Sequence, residues 1–150
     1  MLNLHLVIPE ILLAVSASLL LGFGVSKSQN RAPLVRVIAI AILLAYAVLG
    51  YALGSQDGEA FKGALVADSF ARYAKFFIGV SAAAGLLLAG NYLEREKLDH
   101  YEFSVLTLYA VLGMSIMVSS NNMLSLYIGV EMQSLALYIM AAFNLSLIHI

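Results

Sequence analysis

An all-α membrane protein with five transmembrane helices accounts for this sequence, on three grounds. Hydrophobic residues make up 62% of the 150 positions and charged residues 11%. Soluble domains carry about 45–50% apolar residues and about a quarter charged. Mean hydropathy is +0.93, more apolar material than a soluble core of this size needs. Second, five segments approach the ~20 apolar residues that cross a hydrocarbon core. Third, nearly all the charge sits between those segments. None of them alternates polar with apolar, as barrel strands would, and helices satisfy their backbone polar groups internally.

The first helix is expected over Leu6–Val25. The preceding MLNLH holds no Lys or Arg, and the long apolar run that follows lacks a clean small-x-small cleavage site, so the segment reads as an uncleaved span. Pro9 suits a first helical turn and Glu10 the positive end of the helix dipole; Glu10 reads as a helix-start device at the interface. The second helix is expected over Leu34–Gly54 and ends in a Gly50/Gly54 pair at GxxxG spacing. The third is expected over roughly Ala74–Leu93. Lys75 at its start reads as a snorkelling side chain, and Ser81, Gly85 and Ala89 as a small-residue packing row. The fourth and fifth, Phe103–Ser119 and Met123–Phe143, are joined by an uncharged turn around Ser119–Asn122, which makes them antiparallel neighbours.

The longest connection, Ser55–Tyr73, holds Asp57, Glu59, Lys62, Asp68 and Arg72 together with Phe61 and Phe70. It is expected to pack on the bundle surface. Lys27, Arg31, Arg36, Arg95 and Lys97 fall on one side of the membrane by this topology. Lys62, Arg72 and Lys75 fall on the other. The excess marks the cytoplasmic side and puts the N-terminus outside.

There are no cysteines, which removes disulfides, thiolate metal sites and Cys nucleophiles. His5, His100 and His149 are too far apart to suggest a metal site. The formal net charge is −1, and nothing points to nucleic acid. No phosphate-binding glycine loop, nucleophile elbow or zinc motif occurs. The methionines read as gap-filling core or lipid contacts.

Glu131 is the candidate for chemistry. It is the ninth residue of the fifth span, close to mid-membrane. A charge there costs at least ~2.5–3.5 kcal/mol, so such a residue is expected to face protein or a water cavity and to want a partner. Tyr127, Glu131, Ser134 and Tyr138 are spaced by four, three and four, which sets them on one helical face. The functional reading is a proton-relay carboxylate. Desolvation disfavours the ionised form of a carboxylate and a neighbouring Lys favours it, so moving such a partner would switch the group. The structural alternative is a neutral acid hydrogen-bonded to a neighbouring helix. Glu10 is read as secondary to Glu131.

The stretch YEFSVLTLYAVLGMSIMVSSNNMLSLYIGVEMQSLALYIMAAF, from Tyr101 to Phe143, resembles the fourth and fifth helices of the subunit N family of bacterial NADH-quinone oxidoreductases, respiratory complex I. The early Pro9-Glu10 and GALVADSFARYAKFF, residues 63–77, are similar too. The most specific part is Gly129–Tyr138. Related antiporter-like subunits carry a Trp-Glu-Leu-Met type motif at that place; here Val130 precedes the glutamate, Met132, Gln133 and Ser134 follow, and there is no Trp.

The resemblance implies the N-terminal part of an antiporter-like bundle of about fourteen helices with inverted repeats. Residues 1–100 would be three N-terminal helices, and 101–144 the start of the first repeat. It implies that Glu131 matches the family's helix-five glutamate, whose lysine partner lies on a broken helix beyond this chain. The polar stripe would then face a partner that this chain lacks. It further implies a proton-translocating membrane subunit in the bacterial inner membrane, with other membrane subunits, lipid and quinone as partners. This chain would hold no cofactor, and NADH, FMN, iron–sulfur clusters and quinone would sit on other subunits. A component of a cation/proton antiporter without a redox partner is the alternative, and a non-catalytic scaffold a third. The LSLIHI string, Leu145–Ile150, departs from the family. It resembles translated sequencing-adaptor sequence and is expected to be non-native.

Overall fold

The computed structural model of the chain describes residues 4–25, 32–53, 58–95 and 100–148. Lys27, Arg31, Gly54, Asp57, Glu96, Lys97 and Asp99, on which part of the loop and orientation reading rests, lie outside the described residues. So do His149 and Ile150 of the suspected tail. The order is a 3-10 turn at Leu4–Val7, α1 (Ile8–Val25), α2 (Ala32–Leu53), β1 (Gly58–Ala60), β2 (Leu65–Ala67), α3 (Ser69–Arg95), α4 (Tyr101–Ser119) and α5 (Met123–Ile148).

All five helices are long and apolar enough to cross a membrane. Their outward faces carry exposed Leu19, Val48, Leu87, Leu88 and Leu135, which suits lipid and not water. Inside, one cluster joins four of the helices: Leu13 and Ala17 of α1, Val35, Ala39 and Leu43 of α2, Ala83 and Leu86 of α3, and Val105, Leu108 and Val111 of α4. In lipid, apolar burial drives little helix association, so close van der Waals packing and interhelical hydrogen bonds hold such a bundle.

Small residues set the closest approaches. A Cβ on Gly79 would stand 3.0 Å from the Ala47 Cβ and 3.2 Å from the Leu43 carbonyl oxygen, so α3 lies tightly on α2 there. The α3 residues that turn inward are Ala71, Lys75, Gly79, Ala83, Leu86, Gly90 and Leu93. The expected Ser81–Gly85–Ala89 row lies on the other side of the helix: Ser81 and Gly85 are exposed and Ala89 half-buried. At the α4–α5 contact, a Cβ on Gly113 would meet the Gln133 amide nitrogen at 2.7 Å and the Gly129 carbonyl oxygen at 2.8 Å. Gly113 and Gly129 therefore face each other backbone to backbone. Near the far end of this contact the Thr107 hydroxyl donates to the Met140 sulfur at 3.8 Å. The rising numbers on α5 against falling numbers on α4 show that the pair is antiparallel.

The connection after α2 differs from a plain surface loop. Glu59 pairs with Val66 in a short antiparallel hairpin, and Phe61, Lys62 and Gly63 turn through positive φ. The hairpin is fastened to the α4–α5 turn. The Asn121 amide N–H donates to the Ala64 carbonyl at 3.0 Å, and the Asn121 side-chain Nδ2 to the Gly63 carbonyl at 2.9 Å. α3 begins earlier than expected because Asp68 caps it, its Oδ1 accepting from the Ala71 amide at 2.7 Å. Such a cap satisfies an otherwise orphan helix donor.

Candidate functional site: two carboxylates in the helices

α5 sits at the edge of the bundle. Among its described residues Met132 joins the central cluster, partly buried. Among residues 123–142, Gly129 and Ala136 are buried and mark the side that meets α4. Glu131 is two residues from Gly129, so at about 100° per residue it lies some 200° round the helix. It is exposed, as are Tyr127 and Tyr138, while Ser134 is half-buried. The four residues do share a face, as their spacing requires, and that face points away from α4. Glu131 makes no hydrogen bond or ion pair with another described residue. It lies about 12 Å along the axis from the start of α5.

Glu131, expected to face protein or a water cavity, is exposed among the described residues. Among the described residues the buried charges are Glu10, Arg36 and Lys75, and Glu10 and Lys75 have 7% and 9% of their side chains exposed. The Lys75 Nζ stands 2.5 Å from the Glu10 Oε1. The Ser115 hydroxyl donates to the same Oε1 at 2.8 Å, and the Tyr46 hydroxyl donates to the Ser115 Oγ at 2.6 Å. Four helices therefore each contribute one polar group to a single cluster. Glu10 does lie in the first turn of α1, but the Glu10 and Lys75 side chains turn inward and are buried, so neither caps the helix start nor snorkels outward. α3 begins at Ser69, so Lys75 is about 9 Å in, and its side chain turns inward against α1.

Two features could have pointed to this cluster from sequence. Helices α1 and α3 start on the same side of the membrane in any up-and-down topology, and in their first turns α1 carries the acid Glu10 and α3 the basic Arg72 and Lys75. α2 and α4 end on that side with Tyr46 and Ser115. Nothing local links Glu10 to Lys75, however, because 65 positions separate them. A second pair, Arg36 with Glu94, holds α2 to α3 at the opposite end. There Arg36 also donates to the Gly90 carbonyl at 3.3 Å. Glu94 is 52% exposed, so that pair is an interfacial clamp.

No family model matches the chain. Several curated relatives resemble it. It is 44% identical over 143 residues to the NADH-quinone oxidoreductase subunit N of Paramagnetospirillum magneticum, which covers 95% of this chain and 29% of that protein. It is 46% identical over 143 residues to the subunit N of Maricaulis maris, covering 95% of this chain and 30% of that one. The subunit N of Rhodobacter capsulatus is 44% identical over 139 residues, with 91% and 29% covered.

By sequence, this chain is similar to proteins named NADH-quinone oxidoreductase subunit N. It spans less than a third of the length of the subunit N relatives it matches. The expected five-helix membrane architecture and the expected resemblance thus agree with both the structure and the subunit N comparisons. With five spans of this kind, the chain is a multi-pass membrane protein.

Proposed function

We propose that the chain serves in the membrane part of a multisubunit NADH:quinone oxidoreductase and contributes to proton translocation coupled to electron transfer. The observation that carries this reading is the polar face of α5. Tyr127, Glu131 and Tyr138 stand exposed on a largely apolar spanning helix, and a mid-membrane carboxylate facing hydrocarbon is costly. A further helix that covers this face and brings a cation would stabilise the ionised form and switch it when it moves. Glu131 takes up a proton when that cation withdraws and releases it when the cation returns; Tyr127, Ser134 and Tyr138 supply hydroxyls along the same face.

The redox chemistry belongs to other subunits in this proposal. NADH, FMN, the iron–sulfur clusters and quinone are held there, and lipid surrounds the five helices. The membrane is the bacterial inner membrane, with the N-terminus on its outer side. The similarity to subunits named for NADH-quinone oxidoreductase favours this over a free-standing cation/proton antiporter.

Glu131→Gln in the full-length subunit tests the reading, because it keeps size and hydrogen-bonding capacity and removes the charge. With the complex reconstituted in proteoliposomes, the protons moved per NADH oxidised are expected to fall, and Glu131→Asp to restore part of the loss. Unchanged pumping in the Gln variant would remove Glu131 from the relay.

A further inference from the structure

The Glu10–Lys75 cluster carries an inference independent of Glu131. Of the two carboxylate oxygens of Glu10, Oε1 receives both Lys75 and Ser115. Oε2 is fully buried and has no hydrogen-bond partner. The Ser119 hydroxyl, one turn beyond Ser115 on α4, is likewise buried without a partner. Buried polar groups are almost always satisfied by protein or ordered water, so two orphans near one another are notable.

Both residues line the same small cleft. Its walls are Glu10, Lys75, Ser115 and Ser119 on the helix side, and Leu65, Val66 and Ala67 on the hairpin side. Its volume is about 10 Å³, near the least that admits one water molecule. The hairpin over it is a thin cover of six paired residues, pinned to the α4–α5 turn by Asn121. On the inner side Ser115 is fully buried and Tyr46 nearly so, and the chain of hydroxyls ends at Tyr46. The cluster is therefore closed toward the core and thinly covered toward the end of the bundle that carries the hairpin.

We propose that Glu10 and Lys75 form a proton-binding site that exchanges with water on the hairpin side of the membrane through this cleft. A hydronium ion in the cleft gives its proton to Oε2, leaving water and a neutral carboxylic acid. Oε1 keeps its bond from Ser115, and Lys75 stays as the ammonium. Release reverses the step, and no electrons move. The charged and titratable groups facing Glu10 are Lys75 from α3 and Tyr46 from α2; α4 contributes only the Ser115 and Ser119 hydroxyls. With Lys75 charged in both states, the site alternates between neutral and singly positive.

The test is pH-step infrared difference spectroscopy on the assembled complex carrying the full-length subunit. A carboxylic C=O band that follows bulk pH is expected in the wild type, and its loss in Glu10→Gln. Ala67→Phe fills the cleft from the hairpin side and leaves the Glu10 and Lys75 residues themselves unchanged, and is expected to slow the band's response about tenfold or more, an added barrier of ~1.4 kcal/mol. If Glu10→Gln does not assemble, Glu10→Asp carries the test, because a titrating acid must then give a band at a new position. A spectrum unchanged by either Glu10 variant overturns the proposal and leaves a permanently ionised strut. So does a band that responds in Ala67→Phe as fast as in the wild type. Neither result depends on whether Glu131 pumps.

Discussion

Lys75→Met distinguishes a buried ion pair from a surface one. The two side chains are 7% and 9% exposed and their charged atoms are in contact. Removing the ammonium leaves Glu10 with one hydrogen bond, from Ser115, and an oxygen that already lacks a partner. Breaking a buried pair by deleting one member costs about 3–5 kcal/mol. Glu10 limits the damage by taking up a proton, since the neutral acid keeps the Ser115 bond, so the lower end, about 3 kcal/mol, is expected. That is roughly a hundredfold in the folding equilibrium. Denaturant unfolding of the full-length subunit in detergent would read it. Glu10→Leu combined with Lys75→Met removes both charges, and is expected to return within about 1 kcal/mol of wild type. If Lys75→Met alone costs under about 1 kcal/mol, the pair behaves like an exposed one and the four-helix cluster is not what holds this end together.

Other outcomes follow from the same contacts. Glu94→Gln, at the solvent-facing clamp, is expected to cost no more than about 1 kcal/mol, because Arg36 keeps the Gly90 carbonyl; the same unfolding assay reads it. Gly113→Ala drives a methyl into α5 backbone that cannot give way, and is expected to cost about 1–3 kcal/mol. Gly85→Ala, where nothing lies within 4 Å of the added carbon, is expected to be neutral or to stabilise by up to about 1 kcal/mol.

The spans were legible because a hydrocarbon core imposes a length and a composition that few other structures need. Leu34–Gly54 became Ala32–Leu53, and Met123–Phe143 became the membrane-crossing part of a helix that runs to Ile148. The start of α3 was missed by five residues. Asp68 followed by Ser69 is a cap signal, but Phe70–Tyr73 interrupts the apolar run with Arg72. The hairpin had no signature. Its turn places Phe61 and Lys62 at positive φ, where neither residue type is favoured, so tertiary contacts with α4 and Asn121 hold it.

Chemistry was legible only along a single helix. The stripe from Tyr127 to Tyr138 follows from helical spacing, and the structure shows it on one face. Glu10, Tyr46, Lys75 and Ser115 come together from four helices, and no spacing within one helix encodes that. Each looked ordinary alone: an acid after Pro9, a lysine near a helix start, a tyrosine and a serine in apolar runs.

The position of the Glu131 carboxylate in an experimental structure of the assembled complex bears most directly on the function proposed here. A lysine side chain from another helix is expected within about 4 Å of it, the reach of an ion pair, with the α5 polar face covered by protein. A Glu131 side chain that faces lipid, with no cation near it, would contradict the relay.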